Sequence, residues 1–377
     1  MSVERLCPLR NPLYPVSISY VFCENSKKTQ CGSNEAHCLD SNIPSFGMQQ
    51  FKKGKKCQTI TQVPITLKKG NINDNFQLTS EQTSKESASA SAIAFGRHIK
   101  TNHPVVFKGF TVFENPRYNT PIPGLLHEIE MYQKMKLLAK QVPHFVNMVA
   151  LYETPCNDTT FYENQHIIAA GKILTEDNKP SKKTPHKHMI LVLTAIKGPS
   201  LLDYFKIPQH DTVWMSVMFQ VLFSLHVMFQ LGFQHNDLHT KNILIDQNPG
   251  CDSALYVIGS DIYNVNLPVK IYIYDFDLGS CCNCEQNFFL KNTCEDYGVC
   301  QERNPKFDVY TFFRHMQDLE PNKKMQGIIG GILGRDKLLE KFKKRFYSPD
   351  YEPPKPASVM LPLTAIKTYF SDFKIIK

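Results

Sequence analysis

The stretch FQHNDLHTKNILI, from Phe233 to Ile245, sets Asp237 five residues ahead of Asn242. Further on, the apolar run IYIYDFD ends in Asp275 and Asp277. A carboxylate such as Asp237 can accept or orient the proton of an attacking hydroxyl. The amide oxygen of Asn242 and the carboxylate of Asp275 are hard oxygen donors, the kind Mg²⁺ requires. The five-residue step carries Asp237 and Asn242 to one side of a loop. Phosphoryl transfer from ATP asks a protein mainly for positioning and charge neutralisation, and these residue types in this order suit that chemistry.

The elements that must position them can be read from pattern. SASASAIAF (Ser87–Phe95) is a run of small residues leading into a short strand, and VVFKGF (Val105–Phe110) is a β-branched, aromatic strand carrying one lysine. LLHEIEMYQKMKLLAK follows, with Leu125, Ile129, Tyr132 and Leu138 at helical spacing. MILVL is a buried strand, Gly198–Pro199 a turn, SLLDYF a helical start and Val213–Leu231 a long apolar helix. Mixed strands with one helix, then helices, predict a bilobal α+β architecture. We read 1–80 as an irregular N-terminal extension, 81–196 as a small lobe with its hinge, and 197–377 as a mostly helical lobe with a tail.

The chain has 377 residues, 42% hydrophobic and 11% aromatic, enough to bury a core and to exclude a largely disordered protein. Its formal charge of +8 favours anionic partners in general, yet no dense basic-aromatic module predicts specific nucleic-acid readout. Gln220, His226 and Gln230 interrupt the longest apolar run, which suits a buried helix and not a membrane span. The N-terminus lacks an uninterrupted apolar stretch, so we expect no signal peptide, and the 12 cysteines are expected as thiols or metal ligands. The KKGKK cluster at Lys52–Lys56 reads as a solvated loop or a docking patch.

FQHNDLHTKNILI and VKIYIYDFDLGS resemble the catalytic and metal-binding loops of the eukaryotic protein-kinase superfamily. The DLHxxN variant and the segment LYVIGSDIYNVNLPVKIYIYDFDL resemble haspin-type kinases and the divergent kinases of large DNA viruses, which carry an extra hairpin between the two loops. The resemblance covers roughly residues 84–320. It implies that Lys108 contacts the α- and β-phosphates and that Glu128 on the following helix holds it, with Glu130 as the fallback. Leu193 would be the gatekeeper, and the backbone of Thr194, Ala195 and Ile196 would face the adenine. Ala88 and Ser91 take glycine positions of the phosphate cover, and Ile93 the following valine. Asp308 in FDVYTFF would hold the catalytic loop by its backbone.

The departures carry their own expectations. Asn236 stands where an arginine commonly pairs with a phosphorylated activation loop, so activity should not require such phosphorylation. His239 replaces the lysine that neutralises the γ-phosphate, and Asp277 replaces a glycine that otherwise lets the loop flip. No Ala-Pro-Glu motif is present. Instead Cys281, Cys284, Cys294 and Cys300 are spaced so that they could hold zinc, with Cys282 competing, or could be plain thiols.

Together these imply an ATP- and Mg²⁺-dependent (or Mn²⁺-dependent) kinase acting on Ser/Thr hydroxyls of a protein substrate. A pseudokinase scaffold and a small-molecule phosphotransferase are the alternatives. The expected location is intracellular, in the cytoplasm, or in the virion if the protein is viral.

Overall fold

The computed structural model describes residues 20–24, 67–68, 75–80, 92–113, 123–139, 142–155, 186–281, 305–334 and 359–375. In chain order the first elements are β1 (Tyr20–Glu24), β2 (Leu67–Lys68), β3 (Phe76–Ser80), β4 (Ala92–His98) and β5 (Pro104–Phe113). Next come α1 (Pro123–Ala139), β6 (Met148–Pro155), β7 (His186–Thr194), α2 (Leu201–Tyr204) and α3 (Asp211–Gln230). Short strands β8 (Phe233–Gln234), β9 (Ile243–Asp246), β10 (Ser253–Ile258), β11 (Asp261–Asn266), β12 (Lys270–Ile273) and β13 (Ser280–Cys281) follow. Helices α4 (Pro305–Gln317), α5 (Lys323–Leu333) and α6 (Pro362–Tyr369) complete an α+β fold.

The chain divides into two compact units. One comprises Gln62–Lys136 and Val146–Ile196; the other comprises Met1–Thr61, Leu137–Phe145 and Lys197–Lys377. The first is built on a six-stranded sheet in the order β2-β6-β7-β5-β4-β3. Every pairing in it is antiparallel except β2 with β6. Period-two alternation sends Val105, Phe107, Ile190 and Val192 into one core with Phe76, Ala94, Ala150 and Tyr152. Phe76 meets Phe107 and Tyr152 edge-on, at centroid distances of 5.7 and 6.1 Å. Gly96 is required there, because a Cβ would sit 2.5 Å from both the Gln77 carbonyl oxygen and the Phe107 ring.

In the second unit α3 is the central element, and nearly all of it from Val213 to Met228 is buried. It is long and apolar enough to cross a membrane, yet 83% of the qualifying window is buried within the fold, as expected of a core helix. Its buried Gln220 donates to the Val269 carbonyl at 3.0 Å and accepts from the Ile271 amide at 3.1 Å, so the polar break in the run ties α3 to β12. The hairpin β10–β11 sits between β9 and β12 in sequence, where the kinase resemblance places an extra hairpin, and pairs along its outer side with β1. Strands β1, β2 and β3 arise within the stretch read from sequence as irregular. They have short pairing registers and lack a sustained alternation that would single them out.

Candidate active site

In the sheet-bearing unit, β5 presents Lys108 on the face opposite the aromatic core. Its cross-strand neighbours are Ile93 on β4 and Leu191 on β7, with Leu193 paired to Val106 one step along. Lys108 Nζ lies 2.6 Å from Glu128 Oε1, and the Glu128 side chain is only 3% exposed. A carboxylate so far from water has to be paired, and Lys108 is its partner. Glu130 is turned elsewhere and pairs with Lys134 one helical turn on. At the end of β7, the Thr194 amide donates to the Asn147 carbonyl (2.9 Å) and the Ala195 amide to the Pro104 carbonyl (3.1 Å). Neither N–H is therefore left to recognise a base. Ile196 is half-buried, and among the described residues its N–H makes no such backbone bond. Ala88 and Ser91 lie outside the described residues.

In the other unit, antiparallel pairing of β9 with β12 sets Ile243 opposite Ile273. The ladder runs on one step, with the Tyr274 amide donating to the Asn242 carbonyl at 3.1 Å, so Asn242 and Asp275 emerge at the same end of the ribbon. Asn242 Nδ2 donates to the Asp237 backbone carbonyl (2.9 Å) and to Asp237 Oδ2 (3.3 Å). A carbonyl oxygen can only face the nitrogen end of the amide, so this contact fixes the flip and leaves Asn242 Oδ1 as the free acceptor. Asp275 has a φ of 68°, a left-handed conformation held by its surroundings. Asp308 on α4 accepts the His235 and Asn236 amides, one on each carboxylate oxygen, both at 2.8 Å.

A protein-family model described as a haspin-like kinase domain matches residues 27–323, well over half of the chain. The chain belongs to the haspin-like kinase family. None of the curated proteins compared with it matches. The match begins earlier than the stretch from residue 84 on which the motif resemblance rests, and so takes in β2 and β3 of the sheet. Kinases of this kind use ATP and a divalent metal in general terms, and the donor chemistry here is compatible with that. Asp275 and the free Oδ1 of Asn242 are hard oxygens suited to Mg²⁺. Among the described residues no three His, Cys, Asp or Glu side chains gather as a metal set, so such a metal would lean on the amide and on phosphate oxygens.

Burial dominates the electrostatics of this haspin-like kinase. Desolvation pushes the Asp237 carboxyl up to about 6; the His235 ring and the Asn242 hydrogen bond work against it, and the charges of Asp277 and Asp275 reinforce it. Desolvation also pulls His239 down to about 4, helped by His315 and His235. His239 Nε2 stands 3.5 Å from Asp237 Oδ2, but with a ring neutral at pH 7 the contact is no ion pair. His239 Nδ1 accepts the Lys241 amide at 3.2 Å, so the ring hydrogen is on Nε2, facing Asp237. From sequence His239 takes the place of a lysine at the γ-phosphate, as a donor, and a neutral ring keeps one N–H to donate.

Two further features lay beyond sequence reasoning. His315 packs edge-on against His239, with ring centroids 5.8 Å apart. The available signal was its spacing of seven from Asp308, two helical turns along the same face of α4. Cys281 and Cys251 are each disulfide-bonded, so Cys281 has no thiolate to offer zinc. Cys284, Cys294 and Cys300 lie outside the described residues.

Proposed function

We propose that this haspin-like kinase transfers the γ-phosphate of ATP to Ser/Thr hydroxyls of protein substrates. The observation that carries the reading is the fixed Asn242 amide, which directs Oδ1 away from Asp237 while leaving the Asp237 carboxylate able to accept a proton. Lys108, oriented by Glu128, contacts the α- and β-phosphates. The N–H of Ile196 takes the adenine edge, Leu193 bounds the base, and Ile93, with Ala88 and Ser91 before it, covers the phosphates. Asn242 and Asp275 hold Mg²⁺ (or Mn²⁺), which supplies the charge that offsets the phosphate oxygens. Asp237 orients the acceptor hydroxyl and takes its proton, with neutral His239 beside the same carboxylate.

The test is transfer of radiolabel from ATP with Mg²⁺ to mixed protein and small-molecule acceptors, with wild type beside Asp275→Asn and Asp237→Asn. The expected outcome is labelled Ser and Thr in protein, and a loss of at least about a hundredfold in both variants. Label confined to small molecules would replace this reading with a small-molecule phosphotransferase. No label anywhere, with no nucleotide-induced thermal shift, would make the chain a scaffold.

A further inference from the structure

Two consecutive residues of the catalytic loop bracket Asp275 from either side. His235 Nε2 meets the Tyr274 carbonyl at 2.9 Å, immediately before Asp275. Asn236 Nδ2 donates to the Leu278 carbonyl at 2.9 Å and to Ser280 Oγ at 3.1 Å, just after it. Between these anchors a turn closes from the Gly279 amide to the Phe276 carbonyl (3.0 Å), and the Asp277 carboxylate accepts the Leu278 amide (2.8 Å). Beyond them β13 pairs with β8, Ser280 opposite Gln234 and Cys281 opposite Phe233.

Asn236 is built for this reach. Its φ of 67° is left-handed, a conformation asparagine tolerates, and the Asp308 carboxylate receives its amide hydrogen. Its side chain is buried, and among the described residues only its donor end is engaged: Nδ2 has two acceptors while Oδ1 meets no donor. The flip is settled because the Leu278 carbonyl can only accept.

We propose that Asn236 is the positioning residue that fixes the backbone following Asp275, so that the metal carboxylate is held in place by an internal amide. This rests on the reading of Asp275 as a metal ligand and adds to it the device that keeps Asp275 in its left-handed conformation.

The test is the Mg²⁺ dependence of peptide phosphorylation in full-length Asn236→Asp, Asn236→Gly and Ser280→Ala. Aspartate is nearly isosteric and tolerates the same φ, but places an acceptor against the Leu278 carbonyl. Glycine keeps the φ and deletes the side chain, which covers the case in which the aspartate variant does not fold. The expected result is a rise of about tenfold in the Mg²⁺ concentration for half-maximal rate in the first two variants, and a smaller rise in Ser280→Ala. A lower melting temperature with unchanged Mg²⁺ dependence would reduce Asn236 to a structural residue and overturn the proposal. Full activity in Asp275→Asn would instead remove the underlying reading, and the inference with it.

Discussion

At the scale of single residues, the proton balance of Asp237 decides what pH dependence to expect. Its carboxyl is raised to about 6 because burial disfavours the anion, so the protonated, non-accepting form predominates below that pH. The rate constant kcat/KM should therefore fall as pH is lowered through about 6, with the slope of a single proton. His239, pulled down to about 4, stays neutral through that window and adds no second inflection there. A pH profile of wild type beside His239→Gln checks both points. The variant should keep the limb near 6 and lose no more than a few-fold in kcat, since the 3.5 Å contact is longer than a hydrogen bond. Disappearance of the limb in that variant would return the titrating role to the histidine.

The candidate catalytic residues were legible because the five-residue step from Asp237 to Asn242 and the apolar strand before Asp275 are local patterns. Their electrostatics were not. Whether His239 carries charge depends on burial and on His315, a neighbour contributed by another helix. In the same way the resemblance assigned the backbone of Thr194–Ile196 to the adenine. Only the chain path through Asn147 and Pro104 decides that the Thr194 and Ala195 amides are already engaged.

At the scale of elements, α3 and the last helix make the core of the second unit. Phe370, fully buried at the end of α6, packs edge-on against Phe219 of α3 at 5.6 Å, and Phe373 lies 5.8 Å from each of them. The Ile375 amide then donates to the Ile262 carbonyl of β11 at 2.7 Å, so the end of the chain closes the hairpin's free side. Phe370→Ala should cost about 3–5 kcal/mol, the loss of buried surface plus a cavity, read as a shift in the urea midpoint. Buried histidines set the acid limit. His144, sandwiched between the Tyr256 hydroxyl (3.0 Å) and the Ile271 carbonyl (3.3 Å), is pulled down to about 3 mainly by burial and then by Lys270. His226 on α3 falls to about 4 for the same reason, with Lys367 adding to it. Both depressed groups stay neutral when folded but take up protons when unfolded below about 6.5, so their contribution is present above that pH and lost as pH falls. Stability should drop by roughly 1.4 kcal/mol per pH unit for each histidine between pH 6.5 and 5. Denaturation at three pH values, with His144→Gln flattening the slope, checks this. The long helix was legible from its apolar run, whereas its start was obscured because His210, not a common capping residue, accepts the Thr212 amide.

At the scale of the whole molecule, the chain runs from one unit to the other and back before the second unit is complete. Leu137–Phe145 and the strand β1 belong with Lys197–Lys377 although the sheet-bearing unit intervenes in sequence. No local pattern announces such pairings, since Tyr20 faces Val257 and Phe145 bridges Ile273 across long separations. A boundary drawn at residue 197 therefore looks natural in the sequence and cuts the core of the structure. Phe145 is 1% exposed and meets the Phe276 ring at 6.4 Å, and the His144 carbonyl accepts the Ile273 amide at 2.8 Å. Emptying the sites of Phe145 and His144 exposes the strand that leads into Asp275. The loss of Phe145 alone is comparable to a buried Phe→Ala change, about 3–5 kcal/mol, against a total stability for a domain of about 5–15 kcal/mol. A fragment beginning at Lys197 should accordingly lack a cooperative thermal transition and near-ultraviolet dichroism. The chain lacking only residues 1–25 should melt cooperatively at a lower temperature, having lost the edge strand β1. A cooperative, native-like melt from the 197–377 fragment would mean that the segment 137–145 is dispensable, and that Asp275 is positioned by the β9–β12 ribbon alone.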